Sequence, residues 1–200
     1  MRSVRAFILS LLAVLALFRS PAAPASPAAV DATAKPCGPN LVSNGSFEKG
    51  TTPGSWLTIK AGSSDLEDWT VSKGTVDIVG GLWPASDGDR SIDLDGTSFG
   101  AITQDVKTDP DKTYVVTFDF SGNAYGPPTI KTMRLSAGDD STQYSFDVSK
   151  RPYRSMGWQT HTWRFVAKGK STPIEFESLD TENGYYGPVV DNVHVQATCD

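Results

Sequence analysis

The sequence predicts an all-β domain whose antiparallel strands pack face to face as a sandwich or barrel. Three observations predict it. Apolar and polar residues alternate with a period of two, and the helical period is almost absent. The alternating runs are short and are broken by Gly, Pro, Asn and Asp. No repeat of about 20–50 residues marks a solenoid or propeller.

The chain begins with Arg2 and Arg5, followed by the apolar run Phe7–Phe18 and then by Ala23-Pro24-Ala25. A basic start, an apolar run too short to span a bilayer and a small-residue cleavage site predict a secretory signal peptide over 1–25. The alternative is an uncleaved anchor. No second apolar run follows, so the mature chain is expected to be free of membrane. Residues 26–39 are rich in Ala and Pro and are expected to form a linker. About 160 residues then remain, enough for one domain with one core; its expected bounds are 40–197, and a monomer is expected. The chain carries a formal charge of −5. The leader holds Arg2, Arg5 and Arg19 and no acid, so the remainder is more acidic still. That argues against nucleic acid as a partner, since phosphate binding needs a basic face.

Strands are expected at Leu41–Ser43, Ser55–Ile59, Trp69–Ser72, Thr75–Val79, Arg90–Leu94 and Ala101–Val106, and then at Thr113–Phe120, Lys131–Ala137, Gln143–Val148, Gln159–Ala167, Pro173–Ser178 and Pro188–Gln196. In the long strand, Tyr114, Val116, Phe118 and Phe120 share the core face, and Thr117 and Asp119 the other. By the same parity Met133, Leu135, Trp163, Phe165, Ile174 and Phe176 face in. If these strands pair, one sheet carries an outer face of Thr117, Asp119, Arg134, Thr162, Arg164, Glu175 and Glu177. Such a face is either merely solvated or a shallow groove for sugar hydroxyls.

Cys37 and Cys199 flank the domain, and export implies an oxidising compartment. A disulfide between them is expected, worth on the order of 4–5 kcal/mol by chain entropy; two free thiols are the alternative. In the last strand Val189, Asp191, Val193 and Val195 share a parity. Asp191 is then a carboxylate on an apolar face and needs a partner. Ca²⁺, bound by oxygens from Asp191, Glu48 and a carbonyl of the 87–91 turn, is one solution. The other is that Asp191 caps a turn or accepts hydrogen bonds from backbone N–H groups. Asp93 and Asp95 alternate with Ile92 and Leu94 and are expected to face solvent. Asn44-Gly45-Ser46 matches a glycosylation sequon and also a turn; the turn is favoured.

Five tryptophans are many for a domain of this size, and most are expected to be core. Trp83, in a Gly- and Pro-flanked loop, is a candidate platform for a sugar ring, as are Tyr125, Tyr153, Tyr185 and Tyr186. The basic loop Lys150–Arg154 is either solvated or a contact for an acidic polysaccharide. Catalysis has little support. His161 and His194 lie in no metal or nucleophile motif. Glu175 and Glu177 sit about 7 Å apart by strand rise, a spacing that any two acids at i and i+2 of a strand share.

The opening stretch Asn40–Glu48 is similar to that of many carbohydrate-binding modules. Together with Arg90–Gly96, Gly100–Gln104, Lys112-Thr113-Tyr114 and Gly187–Val193, it resembles the secreted plant cell-wall family labelled domain of unknown function 642 and its bacterial choice-of-anchor C relatives. The resemblance implies a galactose-binding-domain-like jelly-roll β-sandwich, export, and association with wall polysaccharide or wall proteins. It brings no catalytic residues. It also implies a structural Ca²⁺ held by residues matching Glu48 and Asp191. The plant proteins resemble two such domains in tandem and the bacterial ones often carry an anchor; this chain shows one domain and no anchor signal, so the expected location is secreted, either free outside the cell or associated with the cell wall. The expected function is non-catalytic binding of extracellular or cell-wall polysaccharide. The alternatives are a structural or protein-interaction domain and, behind it, a glycan-cleaving enzyme.

Overall fold

The computed structural model describes residues 35–199. The expected signal peptide and the first part of the expected linker lie outside the described residues. The strands are β1 Lys35–Cys37, β2 Trp56–Lys60, β3 Thr70–Lys73, β4 Thr75–Val79, β5 Ser91–Asp93, β6 Ala101–Lys107, β7 Thr113–Gly122, β8 Ile130–Ala137, β9 Asp140–Asp147, β10 Gln159–Val166, β11 Ser171–Ser178 and β12 Pro188–Cys199. One sheet runs β10-β7-β12-β5-β4-β2, with β1 added to β12, and the other runs β3-β6-β11-β8-β9. All pairings are antiparallel. The two sheets bury one large core between them.

The parity argument holds for that core. Tyr114, Val116, Phe118, Phe120, Met133, Leu135, Phe165, Ile174 and Phe176 all lie in it, with Trp163 packed against it. His161 shares the inward parity of β10 and packs against the rings of Phe118, Phe120 and Tyr144. The expected Leu41–Ser43 strand is instead a loop, tied down by other means. β1 begins inside the stretch read as a linker, because Cys37 and Cys199 are bonded and Lys35 pairs with Cys199.

The two ends of the domain clasp. Leu41 N donates to Val195 O at 2.8 Å, and Val193 N donates to Gly45 O at 2.9 Å. Asn40 accepts from Val195 N through Oδ1 at 2.9 Å. A Cβ on Gly45 would stand 2.0 Å from Val193 O, so only glycine allows this approach. Asn44 is a turn residue, as expected: its side chain bonds Lys49 N, Lys49 O and Glu67 O.

Two expectations fail for one shared reason: parity gives a face, but not the sheet or what covers the face. Arg134, Glu175 and Glu177 belong to the five-stranded sheet, and Thr117, Asp119, Thr162 and Arg164 to the seven-stranded one, so the single polar face does not exist. Asp93 and Asp95, expected in solvent, are 1% and 0% exposed. They lie beneath two loops that connect the sheets.

Candidate functional site

Those loops roof one end of the outer face of the seven-stranded sheet. Val76, Ile78 and Ile92 point into the main core, so Asp77, Val79, Ser91 and Asp93 point outward. Val79, Trp83, Met156 and Val189 make a second, small apolar cluster on this outer side. Trp83 is its plug: it is 3% exposed, and its indole N–H donates to Ser91 Oγ at 3.0 Å. The expected stacking platform is thus mostly buried, because its loop folds back over the sheet.

Beside that plug is a groove of about 370 Å³, within the range of small-ligand sites. Trp56, Tyr125, Tyr185 and Tyr186 line its walls, and Asp77, Asp93 and Asn123 its floor. Tyr153 stacks on Tyr125 with ring centroids 5.0 Å apart, extending the wall. Of the five exposed large apolar side chains among the described residues, Trp56, Tyr125, Tyr153 and Tyr185 gather here; only Ile130 does not belong to this set. Sequence reasoning missed Trp56. The signal was present: Trp56 shares its parity with Thr58 and Lys60, while Leu57 and Ile59 pack toward the core.

The floor is fixed by hydrogen bonds. Asp93 accepts from Asn123 Nδ2 at 2.7 Å, from Gly187 N at 3.0 Å and from Asp95 N at 3.0 Å. Burial pushes the Asp93 carboxyl well above the usual carboxylate range, and the negative charges of Asp95 and Asp77 add to that against these donors. A Cβ on Gly187 would stand 2.6 Å from Asp93 Oδ1, so the chain passes this carboxylate only as glycine. Asp77 is also raised by burial, and among the described residues its carboxylate takes a hydrogen bond from Thr58 alone. Its Oδ2 therefore remains available to a ligand.

Lys131 holds the roof in place. It shares the inward parity of Met133 and Leu135, is 0% exposed, and donates to Gly126 O at 2.9 Å and to Tyr186 O. Those carbonyls belong to the two loops that carry Tyr125, Tyr185 and Tyr186. Burial lowers its amine, while Asp180, Asp93 and Asp95 oppose that.

The other expected site residues lie away from the groove. Glu177 pairs with Lys73 at 2.7 Å and with Arg134, and Glu175 accepts from Ser72 Oγ at 2.7 Å. Arg164 stands on β10, with three strands between it and the β4–β2 side of the sheet.

Glu48 and Asp191, expected to hold calcium, grip one loop from two sides. Glu48 Oε1 accepts from Asp89 N and Arg90 N, both at 2.8 Å. Asp191 Oδ2 accepts from Ser86 N at 2.7 Å and Asp87 N at 3.0 Å, and Oδ1 from Asn192 N at 2.6 Å. Asp191 does not point into the main core. The register of β12 shifts between Asp191 and His194, with Asn192 at φ 52°, so Asp191 shares the outer side with Val189 while Val193 and Val195 face in. Calcium needs converging oxygens, and here N–H donors aim at the carboxylates. This donor set does not fit the ion.

Removing divalent metal with a chelator is accordingly expected to leave the melting temperature unchanged, whereas Asp191→Asn lowers stability by about 1–3 kcal/mol. A fall on chelation, reversed by calcium, would restore the cation. Burial also pushes Asp191 up to about 7 from its ordinary 3.8. A raised carboxyl binds more protons folded than unfolded, so its stabilisation is full below about pH 4 and is lost as pH rises through about 7. The melting temperature should follow that slope, and the slope should flatten in Asp191→Asn.

A family model described as "Protein of unknown function (DUF642)" matches residues 40–196. Halomucin of Haloquadratum walsbyi is 30% identical over 167 residues; the match covers 81% of this chain but 2% of that protein's length. Two solved structures share the fold. One is a family 16 carbohydrate-binding module, at TM-score 0.50 and 17% identity over 78% of this chain and 99% of that one. The other is the CBM22-1 xylan-binding domain of Paenibacillus barcinonensis Xyn10C, at TM-score 0.50 and 18% identity over 84% of this chain and 99% of that one.

Proposed function

Because the chain belongs to the DUF642 family, we propose that it is a secreted, non-catalytic module that binds an extracellular or cell-wall polysaccharide in the aromatic groove. The observation that carries this reading is the gathering of Trp56, Tyr125, Tyr153 and Tyr185, exposed, around one polar floor. Exposed aromatics cost solvation unless something covers them, and the apolar face of a sugar ring stacks well on such rings. Hydroxyls at the rim of that ring need acceptors, and Asp77 offers one. The likeness to a xylan-binding domain supports the ligand class by fold analogy alone.

A catalytic reading finds less support. His194 is held by Asn192 at 2.8 Å, His161 is enclosed by rings, and Glu175 and Glu177 sit in hydrogen bonds and ion pairs on the other sheet. The disulfide suits an oxidising extracellular site.

Retention on insoluble polysaccharides tests the proposal. Trp56→Ala and Tyr185→Ala should each weaken binding about tenfold or more, an aromatic anchor being worth about 2 kcal/mol, with melting temperatures unchanged because both side chains are exposed. Retention equal to the unaltered protein in both variants would move the site elsewhere. Retention on no polysaccharide would favour a protein-interaction domain.

A further inference from the structure

The floor of the groove is acidic. Asp77 and Asp93 are register partners across β4 and β5, which puts their Cβ atoms about 5 Å apart on one face. Among the described residues no Lys or Arg lines the groove. The basic groups nearby are committed elsewhere. Lys131 lies behind the floor, its amine on the carbonyls of Gly126 and Tyr186 and its charge offset by Asp93, Asp95 and Asp180. Arg154, next to Tyr153, turns to Gly81 O at 3.2 Å and lines the neighbouring hollow with Arg90. Arg151 lies over the Phe146 ring. The basic loop therefore does not supply the groove with positive charge.

We propose that this groove takes an uncharged glycan and turns away chains bearing carboxylate or sulfate, with Asp77 as the residue that discriminates. The inference rests on the carbohydrate-binding reading and adds its ligand class. A neutral sugar donates hydroxyl protons to Asp77 Oδ2. A uronate or sulfate brings an anion against the Asp77 carboxylate, with no Lys or Arg among the described lining residues to meet it, and Asp93 beside it offers no counter-charge.

Binding isotherms on the full domain test this, using neutral xylan, glucan, mannan and galactan oligomers beside oligogalacturonate of equal length. At least one neutral oligomer should bind more than about tenfold tighter than oligogalacturonate, since juxtaposed like charges in a desolvated site cost well over tenfold in affinity. Asp77→Asn should narrow that ratio, because the amide removes charge and keeps shape. Oligogalacturonate binding as tightly as the best neutral chain would overturn the inference and leave the carbohydrate-binding reading standing. A ratio unchanged in Asp77→Asn would overturn the role of the floor charge. Binding of none of these oligomers would remove the reading itself, and the inference with it.

Discussion

Replacing Cys37 and Cys199 together by Ala is expected to lower the unfolding free energy by on the order of 4–5 kcal/mol, about half the stability of a typical domain. The bridge joins residues 162 apart in sequence. Without it the unfolded chain recovers the freedom of a loop that spans nearly the whole domain, and that entropy grows with the logarithm of loop length. The folded state also weakens locally. β1 is three residues long and, among the described residues, pairs only with the end of β12, so its hold on Lys35–Cys37 is short. Urea titration of the double variant should show the lower midpoint together with a larger m-value, because the unfolded chain becomes less compact. Amide exchange should rise first in β1. A loss below about 1 kcal/mol would mean that the clasp of Asn40, Leu41 and Gly45 against β12 closes the termini unaided.

The alternation that marked the strands was legible because each has one face in a single apolar core and the other outside it. Thr75–Val79 came out with its bounds unchanged, and the inward set of β7 is the observed one. Stretches far apart in the chain proved to be one structure. Glu48 holds the 89–90 turn, Gln104 bonds Ser43 through both its N–H and its carbonyl, and Asp191 holds 86–87. Other features were beyond a reading by period. The bulge at Asn192 adds one residue and reverses every later parity, and Asn tolerates the positive φ it needs without announcing it. Asp93 and Asp95 alternate as solvent-facing residues would, yet loops some 30 and 90 residues away in the chain bury them. Trp56 and Trp83 exchanged their expected roles for the same reason. An edge strand leaves one exposed, and a loop folded over the sheet buries the other.

Lys131→Met is expected to destabilise the domain by about 3–5 kcal/mol, the usual loss when one partner of a buried charged group is removed. By parity Lys131 reads as a core position, and by burial it is one. Its amine serves two carbonyls and stands among Asp93, Asp95 and Asp180. Methionine fills the volume and removes the cation that all of these share. Burial raises the Asp95 carboxyl, and Ser178, Lys131 and the Gly100 backbone oppose that rise, so loss of the Lys131 charge removes one of the groups that offset its burial. Asp180, pushed up to about 6 by burial, should take up a proton more readily in the variant. The carboxyls would then be stabilising only when protonated, so the loss should be smaller at pH 5 than at pH 8. A second replacement, Asp180→Asn, removes one of the stranded charges and should recover part of the loss, making the pair less than additive. Because Lys131 fixes the carbonyls beside Tyr125 and Tyr185, glycan affinity should fall in any Lys131→Met protein that remains folded, unlike an effect confined to the core. Equal losses at both pH values, or strict additivity with Asp180→Asn, would show that Lys131 acts by packing rather than by charge.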